Sequence, residues 1–251
     1  MGIHAGETVI SQPTMPASHS LRRRTLLGSI LLGGIAGCIG DDSDDNPEQK
    51  AAGTILGPPE ESRGSPSHPT YGDPIPDFEL SDPHADELVT ADSLSDEGPF
   101  VLTFIYTSCT GSCGELMGLL ELVQNDASEE GWLDDVNLVA MTFDPEVDGA
   151  DTLRAYGEIH GLDASEPHFR FLRPETSTEA IELVDQHFGV PADRHDDDAP
   201  DDADPADLEH VHYYMIFLVN GEGIVERSYP SPILFDRSAN DFVEDVRSVV
   251  T

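Results

Sequence analysis

An α/β sandwich of three layers, with a central mixed sheet flanked by helices, is the fold class this sequence predicts. Three observations carry the prediction. Short apolar runs at 100–106, 136–143 and 169–172 alternate with segments of helical period at 113–129, 150–160 and 178–188, which is the pattern of strand–helix units. Residues 214–219 and 224–229 alternate in polarity about Asn220-Gly221-Glu222-Gly223, a hairpin signal. The chain then closes on an amphipathic segment that Ser238 opens with a capping-box spacing to Asp241.

Taken in order, the domain begins at Tyr71-Gly72-Asp73-Pro74, and residues 89–94 read as a second short extended stretch. Phe100 to Tyr106 is apolar on both faces and fits a central strand. Leu116, Leu119, Leu120 and Val123 recur at helical spacing, so residues 113–129 form a helix with one apolar side. Val136 to Phe143 is the next strand, Ala150 to His160 the next helix and Phe169 to Leu172 a short strand. Residues 178–188 read as a helix with Ile181, Val184 and Phe188 inward; in the last helix Phe242, Val243, Val246 and Val250 take that side. Strand, helix, strand, helix, then a hairpin and a closing helix is the order of a thioredoxin-like sandwich. Residues 193–209, DRHDDDAPDDADPADLE, interrupt it as an acidic loop expected to be mobile.

The chain of 251 residues carries 12 Lys and Arg against 50 Asp and Glu, a net charge of −38, with Lys50 the single lysine. Such an acidic surface would repel phosphate, so nucleic acid is excluded as a partner. Acids spread over every segment fit a surface adapted to very high salt, where screening shortens repulsion to about 3 Å at ~1 M. An extreme halophile is the source this implies. At the N-terminus, Arg22, Arg23 and Arg24 precede an apolar run from Leu26 to Gly37 that is too short to span a bilayer comfortably. Residues 1–37 therefore read as a signal peptide resembling the twin-arginine kind, and Ile35-Ala36-Gly37-Cys38 resembles a lipobox with Cys38 as the lipid anchor. Residues 38–70, rich in Asp, Pro, Ser and Gly, read as a flexible acidic linker, and residues 71–251 as one domain. The expected location is extracytoplasmic, on the outer face of the cell membrane.

With Cys38 assigned to the anchor, the two remaining cysteines of the three are Cys109 and Cys113, in FVLTFIYTSCTGSCGELMGLL. An apolar strand runs there into a glycine-punctuated turn and a helix, whose N-terminal partial charge favours thiolate. Two such thiolates can exchange electrons with each other or hold a soft metal. Two sulfurs make a poor closed zinc site, whereas copper(I) is satisfied by fewer soft donors. A third donor has to come from the ten histidines. His4, His19, His68 and His84 lie in the signal, the linker or the opening loop; His160 and His187 close helices; His168 and His195 sit in loops. His210 and His212 remain, just before an apolar strand that neighbours the cysteine strand in a thioredoxin-like sheet. A strand-edge histidine taken alone is ordinary polar surface, and only the cysteines give this pair weight.

The residues Phe104-Ile105-Tyr106-Thr107-x-Cys109-x-x-x-Cys113, then Thr142-Phe143-Asp144-Pro145-Glu146-x-Asp148 with Thr152-Leu153-x-x-Tyr156, then His212 eleven residues before Gly223, resemble the Sco/SenC family over roughly 71–250. The resemblance implies a thioredoxin-like, membrane-anchored protein that binds one copper through Cys109, Cys113 and His212. His212 is preferred to His210 because it has the family's spacing to the strand. The implied role is a metallochaperone, without enzyme turnover, that supplies copper to the binuclear site of cytochrome c oxidase subunit II. Asp144 falls in the family's D-P-x-x-D segment and is implied to orient a ligand or partner. Two departures stand out: Thr110 and Gly114 follow the cysteines where the family usually has proline, and His210-Val211-His212-Tyr213 replaces the usual Asp-His-Ser/Thr. A second reading is a thiol–disulfide oxidoreductase that keeps partner cysteines reduced, with Cys109 attacking and Cys113 resolving. A peroxiredoxin is disfavoured, because its Pro-x-x-x-Thr-x-x-Cys loop and supporting arginine are not evident.

Overall fold

A computed structural model describes residues 52–60, 64–195, 209–212, 214–230 and 238–251, with backbone alone for 193–195 and 209–212. Residues 1–37, read above as a signal peptide, and Cys38, read as the lipid anchor, lie outside the described residues, as does the core of the acidic loop.

Strand β1 (Glu79–Asp82) pairs with β2 (Glu87–Thr90) as a small antiparallel ribbon. Residues 89–94 do not continue as an extended stretch. Thr90 ends β2 and opens helix α1 (Ala91–Glu97), because Thr90 Oγ1 accepts from the Ser93 amide at 3.0 Å and Ser93 Oγ accepts from the Thr90 amide at 2.9 Å. This reciprocal cap overrides the apolar run that reads as a strand.

The main sheet has five strands, in the spatial order 169–172, 137–142, 100–105, 215–219 and 225–230. Strand β3 (Phe100–Ile105) and strand β4 (Asn137–Thr142) are buried along their whole length, as expected of central strands covered on both faces. They run parallel to each other and to β5 (Phe169–Leu172). Strands β8 (Met215–Val219) and β9 (Val225–Pro230) add the antiparallel half, β8 directly against β3. The mixed sheet between helices bears out the expected sandwich. The hairpin closes because Asn220 Oδ1 accepts the amides of Glu222 at 2.9 Å and Ile224 at 3.1 Å, while Gly223 takes the left-handed φ of 74°.

Helix α2 (Cys113–Glu130) packs on the sheet through Leu116, Met117, Leu120, Val123 and Ala127, and ends where Gly131 adopts a left-handed φ. Helix α3 (Ala150–Ile159) buries Leu153, Tyr156 and Gly157. Helix α4 (Ser177–Glu182) runs into one π-helical turn over 183–187, which leaves Ile181 half-buried and turns Ala180, Leu183 and Val184 inward. Phe188 follows and stacks near Phe104 and Phe217, with ring centroids 5.0 and 5.8 Å away. Helix α5 (Ala239–Val250) is capped by Ser238 as expected; Phe242, Val246 and Val249 are buried, with Val243 and Val250 partly covered. It is tied to α2 by Arg247 and Asp126, and to β9 by the Tyr229 hydroxyl on Asp245 at 2.6 Å.

Two further regions differ from the sequence reading. Part of the stretch expected to be a flexible linker is fastened to the domain: the amides of Ile55 and Leu56 donate to the Glu226 carboxylate at 2.7 and 2.9 Å, and Asn220 Nδ2 donates to the Gly53 carbonyl at 2.8 Å. Its partners lie some 170 positions away, beyond the reach of composition. The ends of the acidic loop also pair, as β6 (Ala192–His195) and β7 (Glu209–His212) in an antiparallel ribbon.

Candidate dithiol site

Strand β3 delivers the chain into the turn at 106–112, and Cys113 is the first residue of α2. The turn is held from three sides. Within it, the Cys109 amide donates to the Tyr106 carbonyl at 3.2 Å, and Ser112 accepts the amides of Glu115 and Leu116. From the turn after β4, the buried carboxylate of Asp148 accepts the Thr107 amide at 3.1 Å, together with the hydroxyls of Thr107 and Thr142. That second turn is itself clamped by Arg173, whose guanidinium donates to the carbonyls of Asp148 at 3.2 Å and Pro145 at 2.6 Å. From the start of β8, the Tyr214 hydroxyl accepts the Ser112 amide at 3.1 Å.

Both cysteines are free thiols, Cys113 fully buried and Cys109 half-buried. They hydrogen-bond to each other, and the hydroxyls of Tyr106 and Tyr214 both bond to Cys109. Three donors thus converge on one sulfur. The hydrogen bond to Cys109, burial and the charge a Cys109 thiolate would carry all push the Cys113 thiol well above its usual range; the Tyr106 backbone works weakly against them. Proximity to the helix N-terminus was expected to favour thiolate at both cysteines. At Cys113 the hydrogen bond to its neighbour and burial outweigh the helix, and Cys113 holds its proton.

Phenols surround the pair. Burial first, then the sulfur charges, raise the hydroxyls of Tyr106 and Tyr156, and Tyr214 is raised in the same direction. All three remain donors at neutral pH. Tyr156 also packs edge-on against His160, whose ring lies over the residue after Cys113: a Cβ on Gly114 would sit 3.3 Å from His160 Cε1.

Of the residues expected at the site, the structure brings Cys109 and Cys113 together. Asp144 is buried nearby; its amide donates to Thr142 Oγ1 at 3.1 Å and its carboxylate accepts from Ser177 at 3.5 Å. The carboxylate that touches the cysteine turn is Asp148, raised by burial and lowered in part by its bonds to Thr107 and Thr142. His212 ends β7, opposite Ala192, and its side chain lies outside the described residues. Among the described side chains no cluster of three or more His, Cys, Asp or Glu groups is arranged for a metal. Tyr106, Tyr156 and Tyr214 were not singled out from sequence as site residues. Tyr106 and Tyr156 stood inside the motifs; Tyr214 had no local signal beyond its place between the histidines and β8.

The SCO1/SenC family model matches residues 69–251. The chain belongs to this family. Among solved structures, a copper-bound ScoI from Bradyrhizobium japonicum is similar at 23% identity and TM-score 0.54, covering 70% of this chain and 99% of its own. A SCO1/SenC family lipoprotein from Bacillus anthracis str. Ames gives 18% identity and TM-score 0.55, covering 76% and 100%. BsSco, described as a member of the Sco family of cytochrome c oxidase assembly proteins with a disulfide switch, gives 21% identity and TM-score 0.53, covering 71% and 96%. At these identities the likenesses speak to the fold, which this SCO1/SenC chain shares. Among curated proteins none matches it.

Proposed function

We propose that this protein is a copper metallochaperone that carries one copper ion between Cys109, Cys113 and His212 and hands it to the copper site of cytochrome c oxidase subunit II or a similar acceptor. The observation that carries the reading is the reduced pair of sulfurs at a strand-to-helix turn in a SCO1/SenC domain. Soft thiolates suit copper(I), and three donors leave the ion open to ligand exchange. Tyr214 supports the choice of histidine. Its hydroxyl reaches Ser112, and His212 is two positions earlier, so its Cα lies within about 7 Å of that of Tyr214. Copper binding has to displace the Cys113 proton, so apparent affinity rises with pH. Asp148 fixes the start of the turn and Tyr106 fixes Cys109, both without serving as ligands.

The test is anaerobic copper(I) titration of the reduced full-length chain. One equivalent is expected for wild type, weaker binding for His212→Ala, and none at this site for Cys109→Ser with Cys113→Ser. Stoichiometric binding that survives the double substitution would sink the proposal.

The unequal burial of the two sulfurs favours a second activity, disulfide exchange. The Cys109 thiolate attacks a partner disulfide and displaces one partner thiolate. Cys113 then gives up its proton and attacks the Cys109 sulfur, releasing the second partner thiol. The partner gains two electrons, and a Cys109–Cys113 disulfide is left. His212→Ala separates the activities, leaving exchange largely intact while crippling copper transfer. We further infer export of the chain by residues 1–37, anchoring to the outer membrane face through Cys38, and a halophilic source, from the N-terminal motifs and the charge of −38. Metabolic labelling with a fatty acid, lost in Cys38→Ala, tests the anchor. Among the described residues no helix is long and apolar enough to cross a membrane.

A further inference from the structure

Gly111 and Tyr214 lie 103 positions apart and fit each other as a slot and its key. A Cβ at residue 111 would stand 2.3 Å from Tyr214 Oη, an impossible contact, yet 3.5 Å from Tyr214 Cζ, an ordinary one, and 3.7 Å from Cys109 Sγ. The missing side chain at Gly111 therefore makes room for one atom, the phenol oxygen. That oxygen accepts the Ser112 amide at 3.1 Å and bonds to the Cys109 sulfur. Both residues flanking the cysteines, Thr110 and Gly114, lack the rigidity a ring would give the turn.

We propose that Tyr214 is a positioning residue that latches the Cys109–Cys113 turn to the start of β8, with Gly111 as the slot that admits it, and that reagents reach Cys109 when this latch opens. A soft ion or a partner disulfide would meet the same latch, so the inference stands apart from the nature of the cargo. It also couples the turn to the segment that follows His212, because the latch is anchored on that segment.

The test uses the reduced full-length chain with Tyr214→Phe, Gly111→Ala and the double variant. Two rates are read by mass spectrometry with peptide mapping: amide exchange across 109–113, and alkylation at Cys109. Tyr214→Phe keeps the ring and removes both bonds of the hydroxyl, so both rates should rise together, at least about five- to tenfold, as the open turn becomes more populated. Gly111→Ala should raise them at least as much by expelling the oxygen. In the double variant the oxygen is gone and the new methyl makes only ordinary contacts, with the ring carbon and the Cys109 sulfur, so the rates should return to those of Tyr214→Phe. Should Gly111→Ala fail to fold, recovery of folding in the double variant is the same suppression. Rates within twofold of wild type for Tyr214→Phe, a double variant faster than Gly111→Ala, or exchange rising while alkylation falls would each overturn the proposal.

Discussion

At the hairpin end of the sheet the buried carboxylate of Glu226 collects the amides of Ile55 and Leu56 and the side-chain amide of Asn220. At the opposite end the buried carboxylate of Asp148 collects the Thr107 amide and two threonine hydroxyls. The two knots use the same chemistry, a desolvated acid balanced by several donors. What differs is the segment each one fastens. Glu226 ties a distant segment to the outer strand and touches nothing reactive. Asp148 ties the turn that holds two sulfurs, and its own charge adds to what keeps Cys113 protonated. One knot sets stability alone, and the other sets stability and reactivity together.

Four substitutions can break or sharpen that contrast. Glu226→Ala leaves three donors without their acceptor and should cost about 3 kcal/mol in urea unfolding. Amide exchange should rise over 52–57 and stay unchanged over 107–113; a rise at the cysteine turn would show the ends to be coupled. Asp148→Ala should cost about 2 kcal/mol, with the reverse exchange pattern and faster alkylation of Cys109. Thr90→Ala removes the cap of α1 and should cost about 1 kcal/mol without altering either the sulfurs or residues 52–57. The smallest effect is a pH slope. Burial raises the Asp148 carboxyl, so the native state takes up its proton more readily than the unfolded chain. Its contribution is therefore fullest in acid, below the usual carboxylate range, and is lost as pH rises through the folded value. The stability of wild type relative to Asp148→Asn should grow as pH falls from neutral to about 4, and a flat difference would remove the titration from the account.

Local signals carried most of the fold. β3, β4 and α2 were readable because their apolar periods are continuous and each is decided by its own neighbours in sequence. The switch from β2 to α1 was missed because Val89 and Leu94 suggest an extended run, while two hydroxyls at Thr90 and Ser93 decide the matter. The docking of residues 52–57 was missed for a different reason: its acceptor is a glutamate buried in β9, and a glutamate in sequence looks like surface. The sulfur pair was legible from spacing and placement. The phenols around it were not, since Tyr214 acquires meaning only through the space left by Gly111. That relation exists in three dimensions and leaves no local pattern.

The fastening of residues 53–57 also decides how the domain bears load. Tension applied from upstream of residue 52 is taken first by Glu226, Asn220 and Arg227, whose guanidinium holds the Gly57 carbonyl at 2.9 Å. These grips sit beside the β8–β9 hairpin, while the thiols occupy the other pole of β3. A pull on that side strains the outer strand and spares the sulfurs, leaving their pole free to approach another molecule undistorted.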